Sequence, residues 1–275
     1  MKLQTWVCVV VLSLAACSAP EFASAQEMTV YTTVSDVGNG DAPRTIGSSL
    51  TLFHAGKVYD YMEDAGELVV LEPNVHRLTL LNSNYTATRV EFSELLQFLK
   101  VAETESAEYI LELSQQTDPG SGRVRSLLQF QLTPQFQEDS ATKNRLVLRG
   151  GVMNYDVRTA DSPDPQQVKQ YLMYADWAAR LNFVLHPGSS YPAPRLILND
   201  ALRRKGALPV AVELSTMSEN PVRLAARHTY QWELQATDRS HIHKWTQLLE
   251  SEKVRWVSFH EYQARLLADI ERHTR

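Results

Sequence analysis

From residue 48 to residue 91 the sequence alternates short strand-like runs with turn sequences, at a spacing of about nine residues. The runs are rich in Val, Leu, Tyr and Thr, and the turns consist mainly of Gly, Pro, Asn and Asp. The runs cover residues 48–54, 57–63, 67–72, 76–81 and 85–91. A further run at 28–37 ends in the turn sequence Gly38-Asn39-Gly40-Asp41. Because consecutive strands joined by tight turns pair side by side, the pattern predicts an antiparallel meander.

The run at 68–71, Leu-Val-Val-Leu, is apolar on both faces of its strand. In the next run Leu78 and Leu80 share one face, while Arg77 and Thr79 share the other. A strand that is apolar on both faces is covered twice, by another layer on one side and by a core or a cavity on the other. We therefore expect the sheet to curve around either a helix or a ligand.

After the meander the pattern changes to a mixture of helices and strands. Apolar residues at helical spacing predict a helix over 92–103. Strand-like runs are predicted at residues 108–114, 123–132, 145–149 and 152–158. Asp164 followed by Pro165 predicts a helix that extends to Leu185, because a carboxylate caps the first turn and proline suits the first helical position.

The last part of the chain combines a hairpin with helices. Predicted are a short helix over 198–205 that ends at Gly206, a hairpin of 209–216 with 222–235, and helices over 238–253 and from 258 onward. The predicted fold class is α+β: a strongly curved antiparallel sheet, or half-barrel meander, packed on helices. A single domain is expected over 27–275, with a helical C-terminal extension over 238–275.

The first residues have the pattern of an export signal. Lys2 precedes an apolar run at 6–16, which is too short to span the roughly 30 Å of a bilayer core. Cleavage after Ala25 would make 1–25 the signal and release a soluble protein. Cleavage before Cys17, at the lipobox-like sequence Leu14-Ala15-Ala16-Cys17, would make 1–16 the signal and Cys17 the lipid attachment residue. The lipobox is favoured because the apolar run ends there.

Composition and motifs exclude several classes of function. The isoelectric point near 5.9 is atypical of a nucleic-acid binder. The sequence has neither a phosphate-binding glycine loop nor a Gly-x-Ser-x-Gly nucleophile motif. Both cysteines fall in the first 17 residues, so neither a disulfide nor thiol chemistry is expected in the mature protein. On a helix His241 and His243 would point in nearly opposite directions, so no metal site and no cofactor are predicted.

The meander of short hairpins at 48–91 and the later run Leu208-Pro209-Val210-Ala211-Val212 resemble the periplasmic lipoprotein-carrier (LolA/LolB-like) superfamily. The resemblance implies an unclosed, strongly curved antiparallel sheet that wraps around helices and a hydrophobic cavity. It also implies an apolar or amphipathic ligand, such as a lipid or acyl chain.

The leading hypothesis is an exported envelope protein, without enzymatic activity, that binds such a ligand in the concavity of its sheet. The candidate lining residues, which would serve equally well as core, are Leu50, Leu52, Tyr59, Tyr61, Leu78 and Leu80. One alternative is a lipid-anchored structural or interaction protein that presents its C-terminal helices to a protein partner. A second alternative is an envelope hydrolase that uses Arg195, Asp200 and His228. Contact with a membrane is expected through the N-terminal anchor only, and no nucleic-acid partner is expected.

Overall fold

The structure is a computed structural model that describes residues 27–38, 42–139, 142–186, 189–217 and 221–274. The predicted export signal and Cys17 lie outside these residues. The strands are β1 (Met28–Asp36), β2 (Arg44–His54), β3 (Lys57–Met62), β4 (Glu67–Glu72), β5 (Arg77–Leu81), β6 (Thr86–Glu91), β7 (Gln137–Asp139), β8 (Arg145–Arg149), β9 (Met153–Asp161), β10 (Ala207–Thr216), β11 (Arg223–Gln231) and β12 (Arg255–Trp256). The helices are α1 (Phe92–Ser114), α2 (Pro119–Leu132), α3 (Pro165–Leu185), α4 (Ala193–Lys205), α5 (Ala236–Leu249) and α6 (Phe259–Thr274).

Within the described part of the chain, the strands form one sheet in the order β12-β6-β5-β4-β3-β2-β1-β11-β10-β9-β8-β7. Neighbours are antiparallel except β12 and β6, which pair in parallel. The sheet is curved and unclosed, with β12 at one edge and β7 at the other. The predicted fold class is therefore confirmed, including the meander, in which β1 to β6 follow one another in chain order and in space.

One face of the sheet, here called the inner face, packs against α1, α3, α4 and α6. Val69 and Leu71 of β4 belong to this face, together with Leu78 and Leu80 of β5. The helices contribute buried side chains to the same cluster, among them Leu95, Leu172, Leu198 and Tyr262. The main core of the protein lies between these two layers.

The opposite, outer face of β2 to β6 is covered by α5. Leu68 and Val70 of β4 lie in this second cluster, together with Ile242 and Trp245 of the helix. The expectation that residues 68–71 are covered on both faces is confirmed, since alternate residues enter different cores. The C-terminal helices thus pack on the sheet from both sides, α5 from outside and α6 from inside.

Two of the predicted strands are helical in the structure. Residues 108–114 form the last part of α1, and residues 123–132 lie in α2. The region before 114 is rich in Glu, which favours a helix, and only Leu113 is buried within the two segments. The Asp118 carboxylate accepts a hydrogen bond from the Ser121 amide, and Pro119 occupies the first turn of α2. This is the same capping pattern as Asp164-Pro165, where the predicted helix is confirmed as α3.

Candidate ligand-binding cavity

A cavity of about 370 Å³ lies between the inner face of the sheet and α3. Its floor is formed by side chains of β5, β4, β3, β2, β1 and β11, which are consecutive in the sheet. Because neighbouring strands are about 4.8 Å apart, the cavity extends over roughly 24 Å of sheet. Ala175, Ala178 and Ala179 of α3 face it, and their small side chains leave the space open.

The end of the cavity over β3 to β5 is mainly apolar. It is lined by Val58, Met62, Val69, Leu71, Leu78, Trp177, Leu181 and Leu185. Trp177 is held in place by stacking on Phe92, with ring centroids 3.6 Å apart. Asn182, which is exposed, and His186 line the cavity at the C-terminal end of α3.

The other end, towards β1 and β11, carries most of the polar groups. They are Thr32, Ser49, Tyr171, Tyr174, Arg195 and His228, beside the apolar Val34 and Ala226, while Asp60 of β3 lies between the two ends. Along the sheet side of the cavity, polarity therefore rises from β5 to β11. A ligand that fits this distribution has an apolar body and a polar end.

Asp60 lies in the middle of the cavity floor, and both of its carboxylate oxygens have partners. The Thr51 hydroxyl donates to Oδ1 at 2.8 Å, and the Tyr174 hydroxyl donates to Oδ2 at 2.7 Å. Burial raises the pKa of the Asp60 carboxyl, although the hydroxyl donors oppose the shift. Burial, reinforced by the Asp60 charge, raises the pKa of Tyr174 well above its usual value, so this hydroxyl stays a donor.

His228 lines the cavity and has one ring nitrogen without a hydrogen-bond partner among the described residues. Its side chain is 9% exposed, and Nδ1 lies 2.9 Å from the Thr32 hydroxyl oxygen. Nε2 is buried and has no hydrogen-bond partner among the described residues. Leaving such an atom unpaired costs about 1–3 kcal/mol, so it requires an explanation. Burial and, second, the charge of Arg195 lower the pKa of the His228 imidazole to about 3, which keeps the ring neutral at physiological pH.

Arg195 brings a positive charge to the same end. Its Nε donates to the Asn199 side-chain oxygen at 3.1 Å, and the Asn199 amide nitrogen donates to Asp176 at 2.7 Å. In the described part of the chain, no carboxylate lies within ion-pair distance of the Arg195 guanidinium. The side chain is thus oriented by hydrogen bonds, while its charge has no direct counter-ion among the described residues.

The structure does not bring the six predicted lining residues together. Leu78 lines the cavity, and Leu80 lies in the same core without facing the cavity. The other four, Leu50, Leu52, Tyr59 and Tyr61, belong to the outer face beneath α5. Their tyrosine rings contact Trp245, with centroid distances of 6.3 and 5.4 Å.

Sequence reasoning missed Asp60, although a signal for it exists. Residues 58, 60 and 62 share one face of β3, so a carboxylate lies between two apolar side chains on a buried face. A charged residue at such a position is typical of a functional site.

The structure brings together only two of the three residues of the hydrolase hypothesis. Arg195 and His228 both line the cavity, whereas Asp200 lies on the exposed side of α4 and pairs with Arg203. His241 and His243 are exposed on α5, and His241 contacts the Trp245 ring. Among the described residues, no group of three or more His, Cys, Asp and Glu side chains is placed to hold a metal ion.

The sequence matches no protein-family model and no curated protein. No helix in the described ranges is both long and apolar enough to cross a membrane. The chemistry of the cavity is therefore the main guide to function.

Proposed function

We propose that the protein is a non-enzymatic binder that holds one amphipathic ligand, with an alkyl chain over β3 to β5 and its polar end towards β11. The observation that carries the proposal is the change in polarity along one continuous cavity, from Leu78 at one end to Arg195 and His228 at the other. The resemblance of residues 48–91 to lipoprotein carriers agrees with this function and stays a prediction.

The size of the cavity supports the same conclusion. Its volume of about 370 Å³ falls in the range of small-molecule pockets, roughly 300–1,000 Å³. Burying an alkyl chain contributes about 0.8 kcal/mol per CH₂, so ten such groups contribute about 8 kcal/mol before the entropic cost of association. This gain is of the same order as the cost of association, about 4–15 kcal/mol, so contacts of the polar end add to the affinity of such a chain.

The state of His228 favours binding over hydrolysis. A general base works best when its pKa lies near the working pH, and the lowered pKa of this imidazole, about 3, is far below neutrality. In the described structure no carboxylate orients the ring, because the partner of Nδ1 is the Thr32 hydroxyl. Asp200, the acid of the hydrolase hypothesis, pairs with Arg203 outside the cavity.

A partner surface formed by the C-terminal helices has less support. Trp245 of α5 is engaged by Tyr59 and Tyr61, and the Tyr262 hydroxyl of α6 donates to the buried Glu67 at 2.7 Å. The two helices also lie on opposite faces of the sheet, so they do not present one common surface.

Filling the cavity tests the proposed function. Ala178→Trp places a large ring where the alkyl chain would lie, whereas Ala107→Trp, at an exposed position of α1, is the matched control. Delipidated wild-type protein and the control should bind 1-decanol in calorimetry and retain apolar species from a lipid extract in native mass spectrometry. Ala178→Trp should do neither. If the wild-type protein binds no alkyl compound, the proposal is wrong.

We further propose that the protein is exported and anchored in the cell envelope by a lipid on Cys17, rather than released by cleavage after Ala25. Expression of Cys17→Ser in a bacterial host should move the protein from the membrane fraction to the soluble fraction. Cys8→Ser, within the apolar run of the signal, should leave the distribution unchanged. Equal membrane association of both variants would contradict the anchor.

A further inference from the structure

The polar end of the cavity contains two groups whose hydrogen-bonding capacity is only partly used. His228 Nε2 is buried and has no partner among the described residues. Arg195, which lines the same cavity, uses Nε on Asn199 and has no carboxylate within ion-pair distance in the described chain. These observations concern the chemistry of the ligand's polar end, so the inference drawn from them rests on the proposed function.

The contact of His228 with Thr32 determines which ring nitrogen is available. When the Thr32 hydroxyl donates to Nδ1, at 2.9 Å, the proton of the neutral ring resides on Nε2. Nε2–H is then an unsatisfied donor on a residue that lines the cavity. The fork of Arg195 supplies further donors and a positive charge.

The remaining polar groups of the cavity do not favour a cationic ligand. Each oxygen of Asp60 already accepts a hydrogen bond, from Thr51 and Tyr174, and burial raises the pKa of this carboxyl, which disfavours the negative charge that would attract a cation. A cationic head group would also be repelled by Arg195. An alcohol would leave the guanidinium charge without a counter-ion.

We propose that the cavity selects aliphatic carboxylates, with the Arg195 guanidinium and His228 Nε2–H as donors to the two oxygens of the terminal carboxylate. One planar anion with one negative charge matches one guanidinium and one neutral imidazole donor. Because the His228 side chain is only 9% exposed, the polar group must also be terminal and small. A phospholipid head group, which continues beyond its phosphate, does not meet this condition.

Calorimetry at pH 7.5 with four ligands of equal chain length tests the proposal. The probes are decanoate, 1-decanol, decyl phosphate and decyltrimethylammonium. Wild-type protein should bind decanoate about tenfold to a hundredfold more tightly than 1-decanol, since hydrogen bonds to a charged group contribute on this scale. Decanoate should also bind more tightly than decyl phosphate and decyltrimethylammonium.

Three variants assign the preference to the named residues. Arg195→Gln and His228→Phe should each lower the ratio of decanoate to decanol affinity, and Arg195→Lys, which keeps the charge, should retain part of it. Arg204→Gln is the matched control, because Arg204 lies on the same helix and pairs with Glu138 away from the cavity. Circular dichroism checks that each variant is folded. If one variant fails to fold, the other two still test the assignment.

The possible failures are distinguishable. Equal binding of decanoate and 1-decanol by the wild-type protein overturns the carboxylate preference but leaves the proposed function intact. Tighter binding of decyl phosphate overturns the assignment to a carboxylate. Failure of all four compounds to bind contradicts the proposed function itself.

Discussion

At the scale of single residues, His228 makes the stability of the protein depend on pH. Its pKa is lowered from an ordinary value of 6.5 to about 3 in the folded state, so the unfolded chain takes up a proton first on acidification. The stability due to the neutral ring is fully present above pH 6.5 and is lost as the pH falls towards 3. The loss amounts to at most about 1.4 kcal/mol per pH unit.

We expect His228→Gln to remove this dependence. The free energy of unfolding of the variant, relative to wild type, should rise as the pH is lowered from 6.5 to 3. Chemical denaturation at a series of pH values measures the difference, and His243→Gln, at an exposed position, is the control. If the free energies of unfolding of variant and wild type differ by the same amount at every pH from 6.5 to 3, the His228 ring is not buried in its neutral form.

Asp60 should make the stability of the protein depend on pH in the opposite direction to His228. Its pKa is raised by burial, so the folded state holds the proton more tightly than the unfolded chain. Stability from the neutral carboxyl is present below the ordinary value of 3.8 and is lost as the pH rises through the raised pKa. Asp60→Asn, measured against wild type by the same denaturation series, should therefore gain stability as the pH rises, by up to about 1.4 kcal/mol per unit. If the free energy of unfolding of Asp60→Asn, relative to wild type, falls with rising pH, the pKa of Asp60 is not raised in the folded state.

These residues also mark the limit of what the sequence could predict about the site. The sequence points to Arg195 and His228 as chemically useful and suggests Asp200, which lies close to Arg195 in the sequence, as their partner. The residue that shares the cavity is Asp60, which is distant in sequence and is brought there by the order of the strands. Proximity along the chain does not determine which side chains meet across a sheet.

At the scale of elements, α2 packs closely on the hairpin of β8 and β9 at Gly150. A Cβ at this position would lie 2.3 Å from the Phe130 ring and 2.8 Å from the Met153 carbonyl oxygen. Phe130 is itself fixed by an edge-to-face contact with Phe136, at a centroid distance of 5.1 Å. A side chain at position 150 therefore requires the helix or the hairpin to shift.

We expect Gly150→Ala to lower the free energy of unfolding by about 1–3 kcal/mol, the usual cost of overpacking. Gly151→Ala is the matched control, because a Cβ there meets no atom within 4 Å. The control should change stability by no more than about 1 kcal/mol. Denaturant midpoints of the two variants provide the comparison, and equal midpoints would contradict the close packing of α2.

The sequence predicted the strands of the meander better than the helices that follow it. Turn residues recur between short strands such as 57–63 and 67–72, and this local signal sets the boundaries. Residues 108–132 are partly exposed helices, whose few apolar positions do not separate the helical period from the strand period. Which face of β2 and β3 borders the cavity depends on α5, a distant segment that covers Leu50 and Tyr59 on the opposite face.

At the scale of the whole molecule, the two cores are separated by one sheet and share its strands. In β4, Val69 and Leu71 enter the inner core while Leu68 and Val70 enter the outer core. Neither core can be lost without exposing half of the same strands. The described part of the chain should therefore unfold as one cooperative unit, which agrees with the single domain predicted over 27–275.

Two tryptophans report on the two cores separately. Trp177 packs on Phe92 on the inner side, and Trp245 packs on Tyr61 on the outer side. Trp232 and Trp256 are replaced by Phe in both proteins, so that in the described part of the chain Trp177→Phe leaves Trp245 as the outer reporter and Trp245→Phe leaves Trp177 as the inner one. Within each variant, denaturation followed by fluorescence should coincide with denaturation followed by far-ultraviolet circular dichroism, because a two-state transition has one midpoint for every probe. A fluorescence change that precedes the loss of secondary structure in Trp177→Phe would show that α5 detaches first, and that the outer core is not part of the cooperative unit.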